Sequence, residues 1–561
     1  MIGFRQLGLA LLVPFVLGAS ASSYSLQLNG QPLPGSPLSD AWVPVWRLWS
    51  LGVSLRIEPK ANRVPIEDGT FIPVRWQGVS ATIPIDQLPR LGIEVETLPE
   101  GYSLHKVMAE PQQWRVESEG DVCRFVWETD RPVTWRIKEA GRHVIVELGG
   151  AGGAWPATTA GSSVIKQITL TSTQPGMLVM DIERRYPTPL RLNSDGRHFS
   201  LELERFYARE TTTDLPQGMQ YTCHQSASET GPLVWHKLFL PSASAYKLTT
   251  LIAQKQGGRF ARFPVSRLAS DAGAVVAVNA GYFSMKEDYP IGLLMQGGKV
   301  LTSPIYNRTF LALPQQGKPF ISQTQLSVDV LAASGQSAEV DWFNFPRQRN
   351  SLAVYTERFG LQTGTVMDGA CWEVAVDADG RVEAEADHNL PIPLNGFVIA
   401  AQGPSVTWLR SQFPVGALAA LRPKVDQIWP GLNEAIAGGP TLVRGGQVAL
   451  TAVEEKFAAD ITQGRAPRTA IGIGAGGDLT LLVVDGRDTG HSMGMTLTEL
   501  AAQFMAFGTP EAMNLDGGGS STMVINGRVV NRPSDGHERL VSTGLGILIP
   551  KGAVAAGRQA Q

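Results

Sequence analysis

The run Asn514-Leu515-Asp516-Gly517-Gly518-Gly519-Ser520-Ser521-Thr522-Met523 constrains this chain more than any other stretch. Three consecutive glycines can take positive φ and put no Cβ between backbone and ligand. Several N–H groups can then converge on an anion or a sugar oxygen, with one carboxylate beside them. The flanks set the context. Residues 524–530 read as two short strands around an Asn526-Gly527 type I′ turn, so the glycine bend opens a hairpin. A phosphate-binding P-loop or a dinucleotide fingerprint would lead into a helix, and the former would carry Gly-Lys-Ser/Thr. Upstream, residues 495–507 read as a helix. Thr496 and Glu499 form a capping box, Leu497, Leu500, Ala501 and Phe504 share a face, and Gly508 supplies the stop.

At 561 residues the chain calls for about two to four domains. Residues 1–21 carry Arg5, an apolar run over 7–17 and Ala19-Ser20-Ala21, the pattern of a secretory signal, and the apolar run is short for a membrane span. No later run is long enough, so the mature protein is expected without a transmembrane segment, secreted or in the cell envelope, periplasmic or extracellular. A net charge of −3 offers no basic field, which argues against a nucleic-acid partner. The cysteines, Cys123, Cys223 and Cys371, allow at most one disulfide and are too far apart in sequence to suggest a structural zinc site.

Residues 24–106 are turn-punctuated and partly strand-like, expected to form a small α+β accessory module. Residues 107–206 show alternating runs at 123–127, 133–137, 143–148, 177–182 and 199–203, the spacing of an antiparallel β-sandwich. A glycine-rich linker, 149–161, interrupts them. Trp114, Trp127 and Trp135 fall at alternating positions that suit a core better than a sugar-stacking face. Residues 215–550 hold the chemistry-bearing motifs, and 551–561 read as a disordered tail. The expected class is α+β: β-rich accessory modules, then a mixed α+β catalytic domain.

Within 215–550 an apolar strand, 274–278, ends in Asn279-Ala280-Gly281-Tyr282. Polar groups at the end of a buried strand need partners, either a ligand or the turn itself. Gly438-Gly439-Pro440 makes a second glycine corner. Glu455, Arg468 and Thr469 precede a strand over 470–474, and the apolar strand 479–484 ends in Asp485-Gly486-Arg487, with His491 and Ser492 just beyond. Ser534 and Arg539 lie in the polar loop after the hairpin. Arg347 and Arg349 are further candidates, against the alternative of solvated surface arginines.

Taken together, "VNAGYF", "GGPTLV", "RAPRTAIG", "LLVVDGR", "GMTLTELA", "NLDGGGSSTM", "RPSDG" and "ERLVST" resemble the phosphodiester glycosidases in order and spacing, over roughly residues 215–550. Residues 24–106 weakly resemble copper amine oxidase N-terminal-like modules, and 107–206 the AMIN-type β-domains that bind envelope polymers. The main resemblance implies a hydrolase acting on a sugar phosphodiester of the N-acetylglucosamine type; together with the signal-like start it implies envelope or exopolysaccharide metabolism, and the AMIN-type resemblance implies N-terminal modules that bind a cell-wall polymer.

Such a substrate sets two demands. A permanent negative charge must be held, which suits Arg468, Arg487, Arg539 and the Gly517, Gly518, Gly519 and Ser520 bend. Positive charge building on the anomeric carbon must be stabilised, which suits a carboxylate. Asp516 is expected as nucleophile, base or electrostatic stabiliser, with Asp485 or Glu455 as second acid/base. Asn279, Gly281, Tyr282, Arg349, Gly438, Gly439, Thr469, His491, Ser492 and Ser534 are expected in substrate binding. No cofactor is expected, a divalent ion on Asp485 or Asp516 being possible but not favoured. The competing functions are a metal-dependent phosphodiesterase cutting the P–O bond and a non-catalytic envelope-polymer binder.

Overall fold

The computed structural model describes residues 25–550 except 34–37, 39, 67–68, 153–161, 324–325 and 425–430. The expected signal segment, most of the linker and the tail therefore lie outside the described residues. The chain divides into two compact units, Met1–Arg205 and Phe206–Gln561.

In the first unit, strands Ser25–Leu28 and Gly101–His105 pair in parallel at the centre of a four-stranded sheet, beside smaller antiparallel sheets around a leucine- and isoleucine-rich core. Two four-stranded antiparallel sheets follow. Val122–Thr129 and Met177–Arg184 each sit inside one of them and alternate buried and half-buried residues along their length. That period of two puts Phe125, Trp127 and Phe199 in the interior, where Trp127 stacks on Phe199 at 4.8 Å and is wholly buried.

The second unit is built on an eight-stranded sheet that includes, side by side, Gly231–Leu240, Leu479–Val484, Arg468–Ile473 and Glu511–Asn514. Leu479–Val484 and Arg468–Ile473 are buried at every position. One of their faces packs on the helix Leu497–Ala506, the other on a five-stranded sheet containing Val276–Asn279, Met523–Ile525 and Thr543–Leu548. The helix begins at Thr496 in a complete capping box with Glu499. Asn526 and Gly527 both take positive φ between the hairpin strands Met523–Ile525 and Arg528–Val529, as a type I′ turn requires.

The expected α+β class is wrong. Among the described residues strand makes up 48% and helix 10%, the strands are nearly all in antiparallel sheets, and the fold is β-rich. The segments between the motifs, which carry no clear period, pair as strands of two to six residues, such as Leu294–Gln296 and Phe310–Pro314. Among the described residues no helix is long and apolar enough to cross a membrane. Cys123, Cys223 and Cys371 are free thiols.

Candidate active site

Antiparallel register brings four strand ends to one place. Arg468 lies opposite Val484, and Ala470 opposite Asn514, so the strands leading to Asp485 and Asp516 finish beside the start of Arg468–Ile473. Asn279 ends the neighbouring sheet's central strand and joins them. Its Nδ2 donates to the Asp516 carbonyl at 2.6 Å, and its Oδ1 accepts from Thr469 Oγ1 at 2.8 Å and Thr522 N at 3.0 Å. This wholly buried amide fixes both ends of the glycine bend to Thr469. Its partners are internal ones. Asp516 N donates to Ala280 O and Leu515 N to Thr469 O, both at 2.8 Å.

The three glycines face three different neighbours. Gly517 lies on the carbonyl of Pro467, Gly518, at φ +61, under the Arg487 guanidinium, and Gly519 against Arg539 and Asp535; a Cβ at Gly517 or Gly519 would collide with that neighbour, and one at Gly518 would be strained by its positive φ and press on Arg487. Residues Gly518–Ser520 form a single 3-10 turn before the hairpin. Arg539 is held by Asp535 at 2.8 Å, whereas Arg487 is exposed. The Asp516 carboxyl is pushed up to about 6 by burial, against the opposing pull of the Ser520 hydroxyl, the Arg539 charge and the Gly517 N–H. Buried hydroxyls of Ser521, Thr522 and Ser534 have no partner among the described residues. Unpaired buried polar groups are few in folded proteins, and these three lie on or beside the bend.

A second cluster centres on Asp485, whose side chain is 1% exposed. Its Oδ2 meets His491 Nε2 at 2.8 Å and His236 Nε2 at 3.4 Å, and its Oδ1 accepts from Asn531 Nδ2 at 3.1 Å and Arg532 N at 3.0 Å. Burial would raise this carboxyl, but the two histidines and the Arg532 N–H outweigh it and hold it well below the usual carboxylate range. Burial likewise lowers His236, yet its hydrogen bonds to Asp485 and Cys223 lift it to about 9. Tyr221 Oη contacts His236 Nδ1 at 2.8 Å. Asn531 also donates to Ser521 O at 3.0 Å, which ties this cluster to the glycine bend. Ser492 serves the backbone here, donating to Asp485 O at 2.6 Å and accepting from Val234 N at 3.1 Å.

Tyr282 and the second glycine corner border Asp516 on another side. Tyr282 Oη donates to Gly439 O at 3.0 Å, and Asn514 Nδ2 donates to Tyr282 Oη at 3.1 Å. Burial first, then the Asp516 charge, pushes the phenol far above its ordinary value. Arg308 lies 4.0 Å from the Phe457 ring and 5.7 Å from that of Tyr282. Gly438 and Gly281 are close-packed positions where a Cβ would press on Asn514 O and Thr543 Oγ1 respectively.

Three candidates are engaged elsewhere. Arg468 is 2% exposed and donates to the carbonyls of Met495, Ile461 and Gly464, so it ties the protein's own backbone together. Glu455, 1% exposed, accepts from Thr309 N at 2.8 Å, Thr309 Oγ1 at 2.7 Å, Gln323 Nε2 at 2.9 Å, Thr441 N at 3.1 Å and Thr451 Oγ1. Arg349 is exposed and its charge acts on Asp368. His236, Tyr221, Asn531 and Arg308 were not among the sequence candidates. Only Asn531 left a trace, as the first residue of the polar loop after the hairpin. Among the described residues no three His, Cys, Asp or Glu side chains gather as a metal site would require.

Residues 372–548 match the family model described as phosphodiester glycosidase. Over 84 residues the chain is 42% identical to an uncharacterized SPbeta prophage-derived protein of Bacillus subtilis, covering 15% of this chain and 13% of that one. Over 68 residues it is 44% identical to the N-acetylglucosamine-1-phosphodiester alpha-N-acetylglucosaminidase of Bos taurus, 12% of each chain. It thus spans about an eighth of the length of the curated relatives it matches. A hypothetical protein from Synechocystis superposes with a TM-score of 0.57 at 20% identity, covering 94% of this chain and 99% of that one. A putative exported protein from Burkholderia pseudomallei does so with 0.51 at 21%, covering 78% and 100%. At these identities the structural likeness is one of fold.

Proposed function

We propose that this chain, whose residues 372–548 match the phosphodiester glycosidase family, is a hydrolase that breaks the bond between a sugar's anomeric carbon and the bridging oxygen of a phosphodiester. The observation that carries this reading is a carboxyl pushed up to about 6 on a triglycine bend, with the guanidinium groups of Arg487 and Arg539 against the same bend. The arginines take the phosphodiester charge. Asp516, ionised above pH about 6, faces the anomeric carbon as nucleophile or as the base that activates water.

As the C–O bond breaks, its electron pair leaves on the phosphate oxygen. A phosphate monoester has a second pKa of about 6, so it departs without a strong proton donor. Water supplies the oxygen that ends on the sugar carbon. The fully hydrogen-bonded Asp485 acts in this reading as a positioning group: it takes the Nε2–H of His491, so that where Asp516 is the nucleophile, Nδ1 of that partly exposed ring receives the proton of the water that then releases the sugar. Two carboxyls driven apart in pKa divide the labour, one titrating and one permanently charged.

The substrate in this reading is of the N-acetylglucosamine 1-phosphodiester type. Export to the cell envelope rests on the signal-like residues 1–21 and agrees with the exported character ascribed to the Burkholderia protein; attachment of Met1–Arg205 to a wall polymer rests on the resemblance of its modules. The test is release of free sugar from a synthetic N-acetylglucosamine 1-(methyl phosphate). Asp516→Asn is expected to slow release about a hundredfold or more. Activity within a few fold of the parent would remove Asp516 from the reaction, and binding of peptidoglycan without any turnover would favour a polymer-binding protein.

A further inference from the structure

A polar cleft of about 530 Å³ opens in the Phe206–Gln561 unit, and all of its lining residues precede the family-matched span 372–548. Its volume suits a small ligand of disaccharide size. Rings line it: Phe359 is stacked with Tyr289 at 6.0 Å and packed on Tyr355 at 4.7 Å. Aromatic rings beside polar groups are the usual platform for the apolar face of a sugar.

The charges decide which sugar. Asp288 is shared by Lys255 at 2.6 Å and Arg262 at 3.1 Å, and Asp368 is taken by Arg347 at 2.5 Å. Glu287 acts on the Tyr289 phenol. Two lining cations, the half-buried Arg259 and the exposed Lys286, have no side-chain partner among the described residues. The cleft therefore offers two uncommitted positive groups beside an aromatic wall. The loop bearing Lys286 leaves the active-site Tyr282 and returns to it, since Ile291 N donates to Tyr282 O at 2.8 Å.

We propose that this cleft is a binding site for a negatively charged saccharide, in which Arg259 and Lys286 hold a carboxylate or phosphate and Phe359 and Tyr289 stack on the ring. It gives the chain a grip on an anionic glycan one loop away from Tyr282. Binding here does not require that Asp516 cleave a phosphodiester.

Calorimetric titration of the full chain at low salt, with digalacturonate, glucose 6-phosphate and cellobiose in parallel, tests this. Saturable binding of at least one anionic sugar is expected, about tenfold tighter than cellobiose and weakened by added salt. Digalacturonate binding more tightly identifies a carboxylated glycan, and glucose 6-phosphate a phosphorylated one. Arg259→Gln and Lys286→Gln are each expected to weaken the anion about fivefold while leaving the thermal melt and free-sugar release from the small phosphodiester unchanged. Cellobiose binding as tightly as the anions, no binding of any of the three, or a double variant that binds like the parent would overturn the proposal. Since release is measured on the same variants, failure at the cleft is distinguishable from failure at Asp516.

Discussion

Asp516 carries its charge at a cost to the fold. Its carboxyl, ordinarily near 4, stands at about 6 in the folded chain through burial. Between those pH values the folded protein keeps a proton that the unfolded chain has lost, so stability falls as pH rises through this window, by about 3 kcal/mol in total. Asp516→Asn is therefore expected to raise the urea midpoint at pH 8 and leave it nearly unchanged at pH 4, while hydrolysis is lost; a variant destabilised at pH 8 would mean that the carboxylate holds the bend together. Hydrolysis by the parent should rise with pH through about 6. Arg539→Gln removes a cation that lowers this carboxyl, so that limb should shift to higher pH, and an unmoved limb would assign it to another group. His236 follows the opposite rule. Raised to about 9, it contributes stability that is complete below its unfolded value near 6.5 and lost as pH climbs through 9. The depressed Asp485 adds stability that is complete above the ordinary carboxylate range and lost as pH falls through its low folded value. Asp485→Asn is expected to lower unfolding stability at pH 7 by about 3–5 kcal/mol, and to return His236 towards neutrality in a proton-resonance titration.

At the level of elements, the glycine bend works because three neighbours approach where side chains would stand. Gly519→Ala would drive a methyl into the Arg539 guanidinium, so the Michaelis constant should rise more than the melting temperature falls; the reverse pattern would make the bend a packing feature only. Much of this element was legible in sequence. The Asn526-Gly527 turn and the Thr496/Glu499 box are local signals, settled by residues a few positions apart. What linked the clusters was not legible. His236 meets Asp485 across 249 positions, and Asn279 meets Asp516 across 237, contacts set by strand order that no window of sequence contains. Arg468 looked like an anion contact for the same reason, since the carbonyls that engage it belong to turns whose paths sequence does not reveal. The α+β expectation extended one strongly capped helix to a domain in which many strands, such as Leu294–Gln296 and Phe310–Pro314, are too short for alternation to register.

At the level of the whole molecule, every residue of the Asp516 and Asp485 clusters lies within Phe206–Gln561, which has its own buried cores. That unit alone should hydrolyse a small soluble phosphodiester at a rate close to the full chain, while binding to a wall polymer should depend on Met1–Arg205. A truncated unit that folds but is inactive would place part of the catalytic apparatus in the first unit. The bond that breaks tests the central claim most directly: hydrolysis in water enriched in heavy oxygen, with both products analysed by mass spectrometry. Attack at the anomeric carbon predicts the label in the free sugar and none in the released phosphate monoester. Label in the phosphate, with the sugar unlabelled, would mean P–O cleavage and would contradict a glycosidase built on Asp516.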